Sequence, residues 1–403
     1  MRILFVVDGH SPIALNWIGY FVERGHEVHL VSTYACQLEF PVASLHIVKV
    51  AFSGVGEGAK SNLRADNAAN RKQKRDILRT VFPVGVRTRL RQWLGVITLP
   101  QAARHLSQVI AQVQPDIIHA MRIPYEGMLA ALAHPKQPLL ISVWGNDFTL
   151  HAQATPWLAH YTRRTIKQAD ALHTDCQRDQ RLAQHWGFPE GYPSIVLPGG
   201  GGVQMDIFFP IEGSNAEVEA YPGSFYVINP RGWRAYVRND TFFNAIPLVL
   251  AKIPTVRFLC PAMEWENPAR HWVDKLGIRG AVELLPTQTR PQMAELFRRS
   301  QVAISITTHD GAPNSLLEAM ACGCFPIAGD LESIREWIMP EVNGLLVEPD
   351  DSQALAESIL LALEKSELRR RAKLENIRLI SERAEYNQVM RRAEAFYQEV
   401  VAG

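Results

Sequence analysis

The stretch VAISITTHDGAPNSLLEAMACGCFPIA, residues 302–328, decides the fold. Its first part, residues 302–306, is short, apolar and rich in β-branched residues, which predicts a strand buried on both faces. A loop follows, residues 316–322 have the composition of a short helix, and Gly323 ends that helix at a left-handed position. The order strand, loop, helix, strand predicts one unit of a parallel α/β sheet.

The loop after the predicted strand places polar residues at the carboxyl end of the sheet. Pro313, Asn314 and Ser315 supply a turn and a helix cap. The free N–H groups at a helix start, with the helix dipole behind them, attract anions. Glu318, one turn into the helix, then reaches hydroxyl groups of a ligand whose phosphate lies at the helix start, while Asp310 faces the other end of that ligand. A phosphate, a ribose and a sugar fit this arrangement.

A structural interpretation of the same residues stays open. The segment Ser315-Leu316-Leu317-Glu318 also has the pattern of a capping box, in which the Glu318 side chain bonds back to the cap amide. In that case neither carboxylate needs a ligand. Motifs elsewhere in the chain favour a ligand-binding role for Asp310 and Glu318 over the capping box.

The stretch DGAPNSLLEAMACGCFPIAGD, residues 310–330, followed by NGLLVEPDD, residues 343–351, resembles the donor-site signature of family 4 glycosyltransferases. Those are retaining, nucleotide-sugar-dependent enzymes of the two-lobed GT-B fold. Their signature has two Glu residues separated by seven others, the first near the donor sugar's hydroxyls and the second on the ribose. The resemblance implies that Asp310 takes the first role and Glu318 the second. It also implies donor contacts by the residues between them: Gly311, Ala312, Pro313, Asn314, Ser315 and Leu316.

Shorter motifs extend the resemblance along the chain in the order in which the family has them. They are PDIIH at 115–119, GND at 145–147, ADA at 169–171 and GGVQMDIF at 201–208. The implied fold is α/β and of the GT-B type, with two Rossmann-like parallel-sheet lobes facing across a cleft.

The length of 403 residues exceeds what one hydrophobic core usually serves, so two domains are expected. Apolar strand-like runs alternate with helical patterns on both sides of the glycine run at 199–202, a hinge candidate. The predicted runs are 3–7, 28–31, 45–50, 117–120, 139–143, 171–174, 194–197, 225–228, 256–260, 282–285, 302–306, 325–328 and 345–347. The predicted domains are an N-terminal acceptor lobe (1–205, with a basic insertion at 53–98), a C-terminal donor lobe (206–385) and a helix (386–403) that returns to the first lobe.

Composition narrows the function classes. The chain has 47% hydrophobic residues, 21% charged residues and a formal charge of +1, which gives no argument for nucleic-acid binding. Five cysteines, few and mostly in apolar runs, suit a reducing compartment. The first apolar run has five residues and is too short for a signal core or a membrane span. A cytoplasmic protein is expected.

A donor lobe must also neutralise a diphosphate, and no D-x-D pair that would hold a metal ion against it occurs in the sequence. Arginine is the alternative, because its guanidinium fork matches phosphate oxygens. The segment NPRGWRAYVR, residues 229–238, follows a predicted strand, and family members have an Arg and then a Lys there. The resemblance gives Arg231 the first role and Arg238, or else Arg234, the second. No metal and no cofactor are expected.

The first lobe is expected to supply the acceptor side. His119, Asp147 and His10, next to Gly9, follow or end predicted strands whose carboxyl ends meet at one edge. The family position that matches His119 borders the donor sugar, although a lone His at a strand end is often structural. Where the family commonly has His before the Gly of the GND motif, this chain has Trp144. The family shows no agreed nucleophile. Catalysis is therefore expected from His119, Asp310 and electrostatic support of the departing diphosphate by Arg231 and Arg238.

One segment suggests a location for the acceptor. Residues 60–91 contain ten Lys or Arg residues against two Asp, with apolar residues between them that continue to Trp93 and Leu94. An anionic membrane surface attracts such a segment, and a phosphorylated lipid carrier would fit as acceptor. The alternative is a solvated helical insertion that packs on the lobe.

These observations predict a metal-independent, retaining glycosyltransferase that moves a hexose-type sugar from a UDP- or GDP-linked donor to a glycan or lipid-linked acceptor. The expected place is the cytoplasm, with peripheral contact at the inner face of the membrane through residues 60–98. Two other classes stay open: a nucleotide-sugar-binding GT-B protein without transfer activity, and a GT-B sugar epimerase. A phosphorylase would need a pyridoxal lysine, for which the sequence has no motif.

Overall fold

The computed structural model describes residues 1–50, 93, 95–211 and 225–403. They form two compact units. The first consists of Met1–Thr174, Asp179–Ile195 and Glu394–Gly403, and the second of Asp175–Arg178 and Val196–Ala393. The predicted domain boundaries after residues 205 and 385 stay predictions. Most of the basic segment at 60–98 lies outside the described residues.

The first unit contains a seven-stranded sheet with the order β3-β2-β1-β4-β5-β6-β7. Its pairs from β3 to β6 are parallel. The strands are β1 (Arg2–Val7), β2 (Glu27–Ser32), β3 (Ser44–Ile47), β4 (Ile117–Met121), β5 (Leu139–Val143), β6 (Ala171–Thr174) and β7 (Ser194–Val196). The helices of this part of the chain are α1 (Pro12–Glu23), α2 (Leu99–Val113), α3 (Met128–Leu132), α4 (Pro156–Lys167) and α5 (Gln177–Trp186). Strands β4 and β5 are buried along their whole length, as continuous apolar runs predict.

Helix α1 shows how local sequence sets an element. The Ser11 hydroxyl accepts a hydrogen bond from the Ala14 amide at 3.4 Å, and Pro12 occupies the first helical position. Its inner face buries Trp17 and Phe21 against the sheet. Gly25, at φ +78°, ends the helix in a conformation that favours glycine.

The second unit contains a six-stranded sheet, all parallel, with the order β10-β9-β8-β11-β12-β13. The strands are β8 (Tyr226–Ile228), β9 (Arg257–Cys260), β10 (Val282–Leu284), β11 (Val302–Ser305), β12 (Phe325–Gly329) and β13 (Leu345–Val347). The helices are α6 (Asn239–Leu250), α7 (Asn267–Lys275), α8 (Arg290–Arg299), α9 (Asn314–Ala321), α10 (Ser352–Glu364), α11 (Ser366–Arg383) and α12 (Tyr386–Ala402). The last of these begins in the second unit and ends in the first.

The strand order reverses once in each sheet. In the first the reversal lies between β1 and β4, and in the second it lies between β8 and β11. Open α/β sheets bind ligands outside the carboxyl ends of the strands at such a reversal. The segments that follow the strands at these points are 8–11 and 122–127 in the first unit, and 229–238 and 306–313 in the second.

The predicted α/β class with two Rossmann-like parallel sheets is confirmed. Each predicted apolar run contains a strand, although several ends differ by one to three residues. Strand β3 ends at Ile47, three residues before the end of the predicted run at 45–50, although the Val48 amide still donates to the Ser32 carbonyl at 2.9 Å and Val48 and Val50 stay buried.

Candidate functional site

The reversal point of the second sheet brings Arg231 and Asp310 together. Arg231 follows β8 and Asp310 follows β11, so residues 79 apart in sequence meet at neighbouring strand ends. Arg231 Nη2 donates to the Asp310 carboxylate, and Arg231 Nη1 donates to the Ser315 hydroxyl at 3.2 Å. The Arg231 side chain is 7% exposed and that of Asp310 is 16% exposed. A guanidinium, a carboxylate and the start of α9 thus form one polar cluster.

Two asparagines hold the backbone beneath Arg231. Asn229 Oδ1 accepts from the Arg231 amide at 3.2 Å, and Asn229 Nδ2 donates to Asn239 Oδ1 at 3.2 Å. Asn239 Nδ2 in turn donates to the Gly232 carbonyl at 3.1 Å. Both asparagines are buried. Sequence analysis did not identify them as positioning residues, although their spacing around the arginine segment was visible.

The other two arginines of this segment have different partners. Arg238 makes a two-point ion pair with Asp240, because its Nε and Nη2 atoms donate to the two carboxylate oxygens at 2.9 and 2.8 Å. It also contacts the Asp350 carboxylate. The hydrogen bond to Asp240 raises the pKa of Arg238. Arg234 is exposed and donates to the Tyr236 hydroxyl at 3.1 Å. The structure therefore joins Arg231 to the Asp310 cluster through hydrogen bonds, whereas the diphosphate roles of Arg238 and Arg234 stay predictions.

Helix α9 starts earlier than the capping-box interpretation requires. Its N-cap is Pro313, which offers no side-chain cap, and Ser315 is the second helical residue. The Ser315 hydroxyl accepts from Arg231, and Glu318 lies in the second turn, so the capping box is wrong. The first N–H groups of α9 have no acceptor within the helix, which is the arrangement that binds anions.

Glu318 combines burial with a weak ion pair. Its side chain is 18% exposed, and Oε1 lies 3.8 Å from Arg290 Nη2. Burial raises the pKa of Glu318 to about 7, and the charge of Arg290 acts in the opposite direction. A carboxylate in this environment gains from hydrogen-bond donors such as ligand hydroxyl groups.

The remaining residues of the predicted donor segment shape the loop. Ala312 and Leu316 are buried, and Leu316 belongs to the core between α9 and the sheet. Asn314 lies against Gly200, where a Cβ atom would come within 2.3 Å of Asn314 Nδ2. A Cβ atom at Gly311 would lie 2.2 Å from Asp175 Oδ1, so a side chain there would displace Asp175 or the loop.

The backbone of Asp310 is held by two residues that sequence analysis missed. The Asp310 carbonyl accepts from Arg178 Nη1 at 2.7 Å and from the Ser333 hydroxyl at 2.6 Å. Arg178 Nη1 also donates to that hydroxyl at 3.0 Å. Both side chains are buried. Neither belongs to the recognised motif, and only their spatial position connects them with it.

His119 has a different environment from the one expected. It is the middle residue of β4 rather than the end of a strand, and it is fully buried. Its Nε2 atom lies 2.6 Å from the Ser142 hydroxyl, and its Nδ1 atom is hydrogen-bonded to the Tyr397 hydroxyl. Burial, with a smaller effect of His173, lowers the pKa of His119 well below its usual value. In this structure His119 is a neutral interior residue and not an accessible side chain at the sheet edge.

The acceptor-side candidates lie at the carboxyl ends of β1 and β5. The Asp147 carboxylate is 1% exposed and accepts from the Ile123 and Trp144 amides at 3.0 and 3.1 Å. It also accepts from Arg122 Nη2 at 3.2 Å, and the Arg122 guanidinium lies 5.5 Å from the centre of the Trp144 ring. Asp147 therefore organises the loops after β4 and β5. Arg122, at φ +104°, is a residue that sequence analysis missed.

Gly9 and His10 follow β1 directly. The Gly9 amide donates to the Ser32 hydroxyl at 3.0 Å, and a Cβ atom at Gly9 would lie 2.3 Å from Cys36 Sγ. His10 is exposed and lies 3.4 Å from the Asp8 carboxylate. Gly9 thus serves close packing, and the imidazole of His10 faces solvent.

Comparison with protein-family models connects both units to one enzyme class. The model described as "Glycosyl transferase 4-like domain" matches residues 8–199, and the model described as "Glycosyl transferases group 1" matches residues 238–378. Together they account for most of the chain. The chain is a family 4-like glycosyltransferase.

Individual relatives of this glycosyltransferase are distant. The GDP-mannose:cellobiosyl-diphosphopolyprenol alpha-mannosyltransferase of Xanthomonas campestris is 26% identical over 265 residues, which are 60% of this chain and 63% of that protein. Among solved structures, the sucrose-phosphate synthase of Thermosynechococcus elongatus has a TM-score of 0.73 at 13% identity, with 100% of both chains covered. Anabaena Alr3699/HepE in complex with UDP-glucose has a TM-score of 0.70 at 15% identity and covers 99% of this chain and 100% of its own. These structures show the GT-B fold.

Within the part of the glycosyltransferase that the structure describes, no helix combines the length and the apolar composition needed to cross a membrane.

Proposed function

We propose that this glycosyltransferase is a retaining, metal-independent enzyme that transfers a hexose-type sugar from a nucleoside-diphosphate sugar to a glycan or lipid-linked acceptor. The process it serves is polysaccharide or glycoconjugate biosynthesis. The observation that carries the proposal is the cluster of Arg231, Asp310 and the start of α9 at the reversal point of the second sheet. This cluster offers donors for a diphosphate beside a carboxylate that accepts hydrogen bonds from sugar hydroxyl groups.

The proposed donor position extends from the start of α9 to Glu318. A diphosphate at the helix start leaves the ribose within reach of Glu318, one turn further along the helix. Relatives support a nucleotide sugar: one is named for GDP-mannose, and one structure contains UDP-glucose. Because these two names differ in base, UDP and GDP are both candidates.

The proposed acceptor carries a phosphorylated lipid or a glycan. The Xanthomonas campestris relative is named for a cellobiosyl-diphosphopolyprenol acceptor. In this chain, Trp93 and Ile97, at the end of the basic segment 60–98, are 50% and 68% exposed. Apolar residues beside a basic segment favour an anionic membrane surface. We place the enzyme at the inner face of the cell membrane, in peripheral contact from the cytoplasm.

The first experiment is a thermal-shift panel of UDP, GDP, ADP, CDP and dTDP on the wild type, Glu318→Ala and Glu364→Ala. Glu364 is an exposed residue of the same unit and serves as the matched control. A ligand that binds only the native state stabilises it by about 2.7 kcal/mol at a hundredfold excess over Kd. One nucleotide is expected to raise Tm in the wild type and in Glu364→Ala but not in Glu318→Ala. No shift with any nucleotide would refute the proposed donor site.

Transfer itself is tested with the sugar donor of the nucleotide found in that panel. The proposal predicts an acceptor-dependent product with the anomeric configuration of the donor, assigned by NMR, and full activity in EDTA. Binding without a product would favour the binding-protein alternative. A changed sugar still attached to the nucleotide would favour an epimerase. Sedimentation with anionic and neutral vesicles tests the membrane contact.

A further inference from the structure

The carboxylate of Asp310 occupies the Arg231 guanidinium, which is also the group proposed to bind the diphosphate. A guanidinium fork presents the same donors to a carboxylate and to a phosphate. In this structure Arg231 Nη2 already donates to Asp310, and Arg231 Nη1 donates to Ser315. The face of Arg231 that would bind a diphosphate is therefore directed at a carboxylate of the same chain.

We propose that Asp310 is an internal counter-anion, which occupies Arg231 in the absence of donor and is displaced when a nucleoside diphosphate binds. The inference rests on the proposed function, because it assumes that the cluster is the donor site. It assigns Asp310 two successive partners: Arg231 before the donor arrives, and the sugar hydroxyl groups afterwards.

The backbone contacts of Asp310 favour an exchange of partners by the side chain alone. Arg178 and Ser333 both hold the Asp310 carbonyl, at 2.7 and 2.6 Å, so the main chain stays fixed while the carboxylate rotates. Gly311 limits the loop further, since Asp175 fills the space where a side chain would lie. A carboxylate on a fixed backbone has few directions available.

An alternative partner for the released carboxylate is present. The Gly311 amide lies 3.2 Å from Asp310 Oδ1 and donates to it independently of Arg231. The Asp310 side chain is 16% exposed, so the carboxylate also reaches solvent. The released carboxylate is therefore not left as a buried charge without a hydrogen bond, which would be costly.

The polar atoms around Arg231 also favour an incoming anion. The Arg231 side chain is 7% exposed, and its Nε atom is buried with no hydrogen-bond partner among the described residues. A buried guanidinium nitrogen without an acceptor is destabilising. A diphosphate has more acceptor oxygens than the Asp310 carboxylate.

Two roles of Asp310 make opposite predictions for nucleotide affinity. If the carboxylate only orients Arg231, its removal weakens diphosphate binding. If it competes with the diphosphate, its removal strengthens binding. The measurement is calorimetric titration of the wild type, Asp310→Asn and Asp274→Asn with UDP, GDP, ADP, CDP and dTDP. Asp274 pairs with Arg279 in the same unit, so its variant reports what the loss of one negative charge and one arginine pair does elsewhere.

The expected result is a Kd for the nucleoside diphosphate that is roughly tenfold lower in Asp310→Asn than in the wild type, with Asp274→Asn within about threefold of the wild type. Equal or weaker binding by Asp310→Asn overturns the inference and leaves the donor site intact. No binding by any of the three proteins overturns the proposed function together with the inference. If Asp310→Asn does not unfold cooperatively, Asp310→Ser is measured with the same expectation.

A second measurement separates competition from a general change in the loop. Asp310→Glu keeps the charge on a longer side chain, so its Kd is expected to stay within about threefold of the wild-type value. If Asp310→Asn and Asp310→Glu both bind the nucleotide more tightly than the wild type, a change in loop geometry explains the effect and the inference is overturned.

Discussion

The Glu318 carboxylate lies 3.8 Å from Arg290 Nη2 on the neighbouring helix, and burial raises its pKa to about 7. The distance is at the limit of an ion pair, which explains why the positive charge does not cancel the effect of burial. This pair lies where the ribose of a bound nucleotide is expected, so its protonation bears on stability and on binding.

The pH dependence of stability follows from Glu318. The folded state holds its proton up to about pH 7, whereas an ordinary glutamate loses it near 4.5. The free energy of unfolding contributed by this group is therefore highest below pH 4.5 and falls as pH rises from 4.5 to 7, by at most about 1.4 kcal/mol per pH unit. Urea unfolding of Glu318→Gln is expected to lack this fall and to exceed the wild-type stability at pH 8. Parallel curves for the two proteins would contradict the assignment, and Glu364→Gln is the control.

A side chain at position 311 is expected to disturb the loop between β11 and α9. In Gly311→Ala the new Cβ atom would lie 2.2 Å from Asp175 Oδ1, so either the loop or Asp175 must move. We expect weaker nucleotide binding, because this loop leads into the start of α9, at which the diphosphate is proposed to bind. Gly280→Ala is the matched control, since its Cβ atom meets nothing within 4 Å. Unchanged Kd values in both variants would show that the loop position is not needed for binding.

Tyr397 is expected to contribute to the stability of the first unit. In Tyr397→Phe the Nδ1 atom of His119 loses its partner, and so does Trp17 Nε1, which donates to the Tyr397 oxygen at 3.0 Å. All three side chains are buried, so each unpaired group costs about 1–3 kcal/mol. Chemical denaturation is expected to show that the free energy of unfolding falls by about 2–6 kcal/mol, the sum for the two unpaired groups. The exposed Tyr192 provides the control variant Tyr192→Phe, which should change the stability little.

Asp147 is expected to stabilise the fold of the first unit, whether or not it also contacts an acceptor. Its carboxylate accepts three hydrogen bonds while 1% exposed, and one donor is the charged Arg122. Hydrogen bonds to charged groups contribute about 1.5–3 kcal/mol each. Thermal unfolding of Asp147→Asn should show a large fall in Tm, whereas His10→Ala, at an exposed position, should not. If both variants unfold like the wild type, these hydrogen bonds do not stabilise the first unit and the structural role of Asp147 is wrong.

Strand positions were predictable because most strands are short, largely apolar runs between polar segments. Residues 117–121 and 139–143 are buried along their whole length, and each of these segments has four apolar residues and one polar residue. The bounds of helix α1 also follow from local signals, since Ser11 caps it, Pro12 begins it and Gly25 follows its end. Local sequence was therefore enough to predict the positions of most strands.

The site was less predictable because its contacts join distant residues. The pair of Arg231 and Asp310 spans 79 positions, and no local pattern encodes it. His119 was placed at an accessible strand end, but Tyr397, 278 positions later, covers it. The cap of α9 was assigned to side chains, whereas the backbone of Pro313 takes that place. In the first two cases the deciding partner lies outside the segment that carries the motif, whereas Pro313 lies inside it.

The hydrogen bond between Trp17 and Tyr397 connects residues 380 positions apart. A ribosome releases the chain from its N-terminus, and N-terminal domains generally fold first during synthesis. The interior of the first unit cannot be completed in that way, because Tyr397 and the rest of Glu394–Gly403 are made after the second unit. During translation Trp17 and His119 lack this partner until residue 397 has been produced. The place that Tyr397 fills in the first unit therefore stays open until the strands and helices of the second unit have been made.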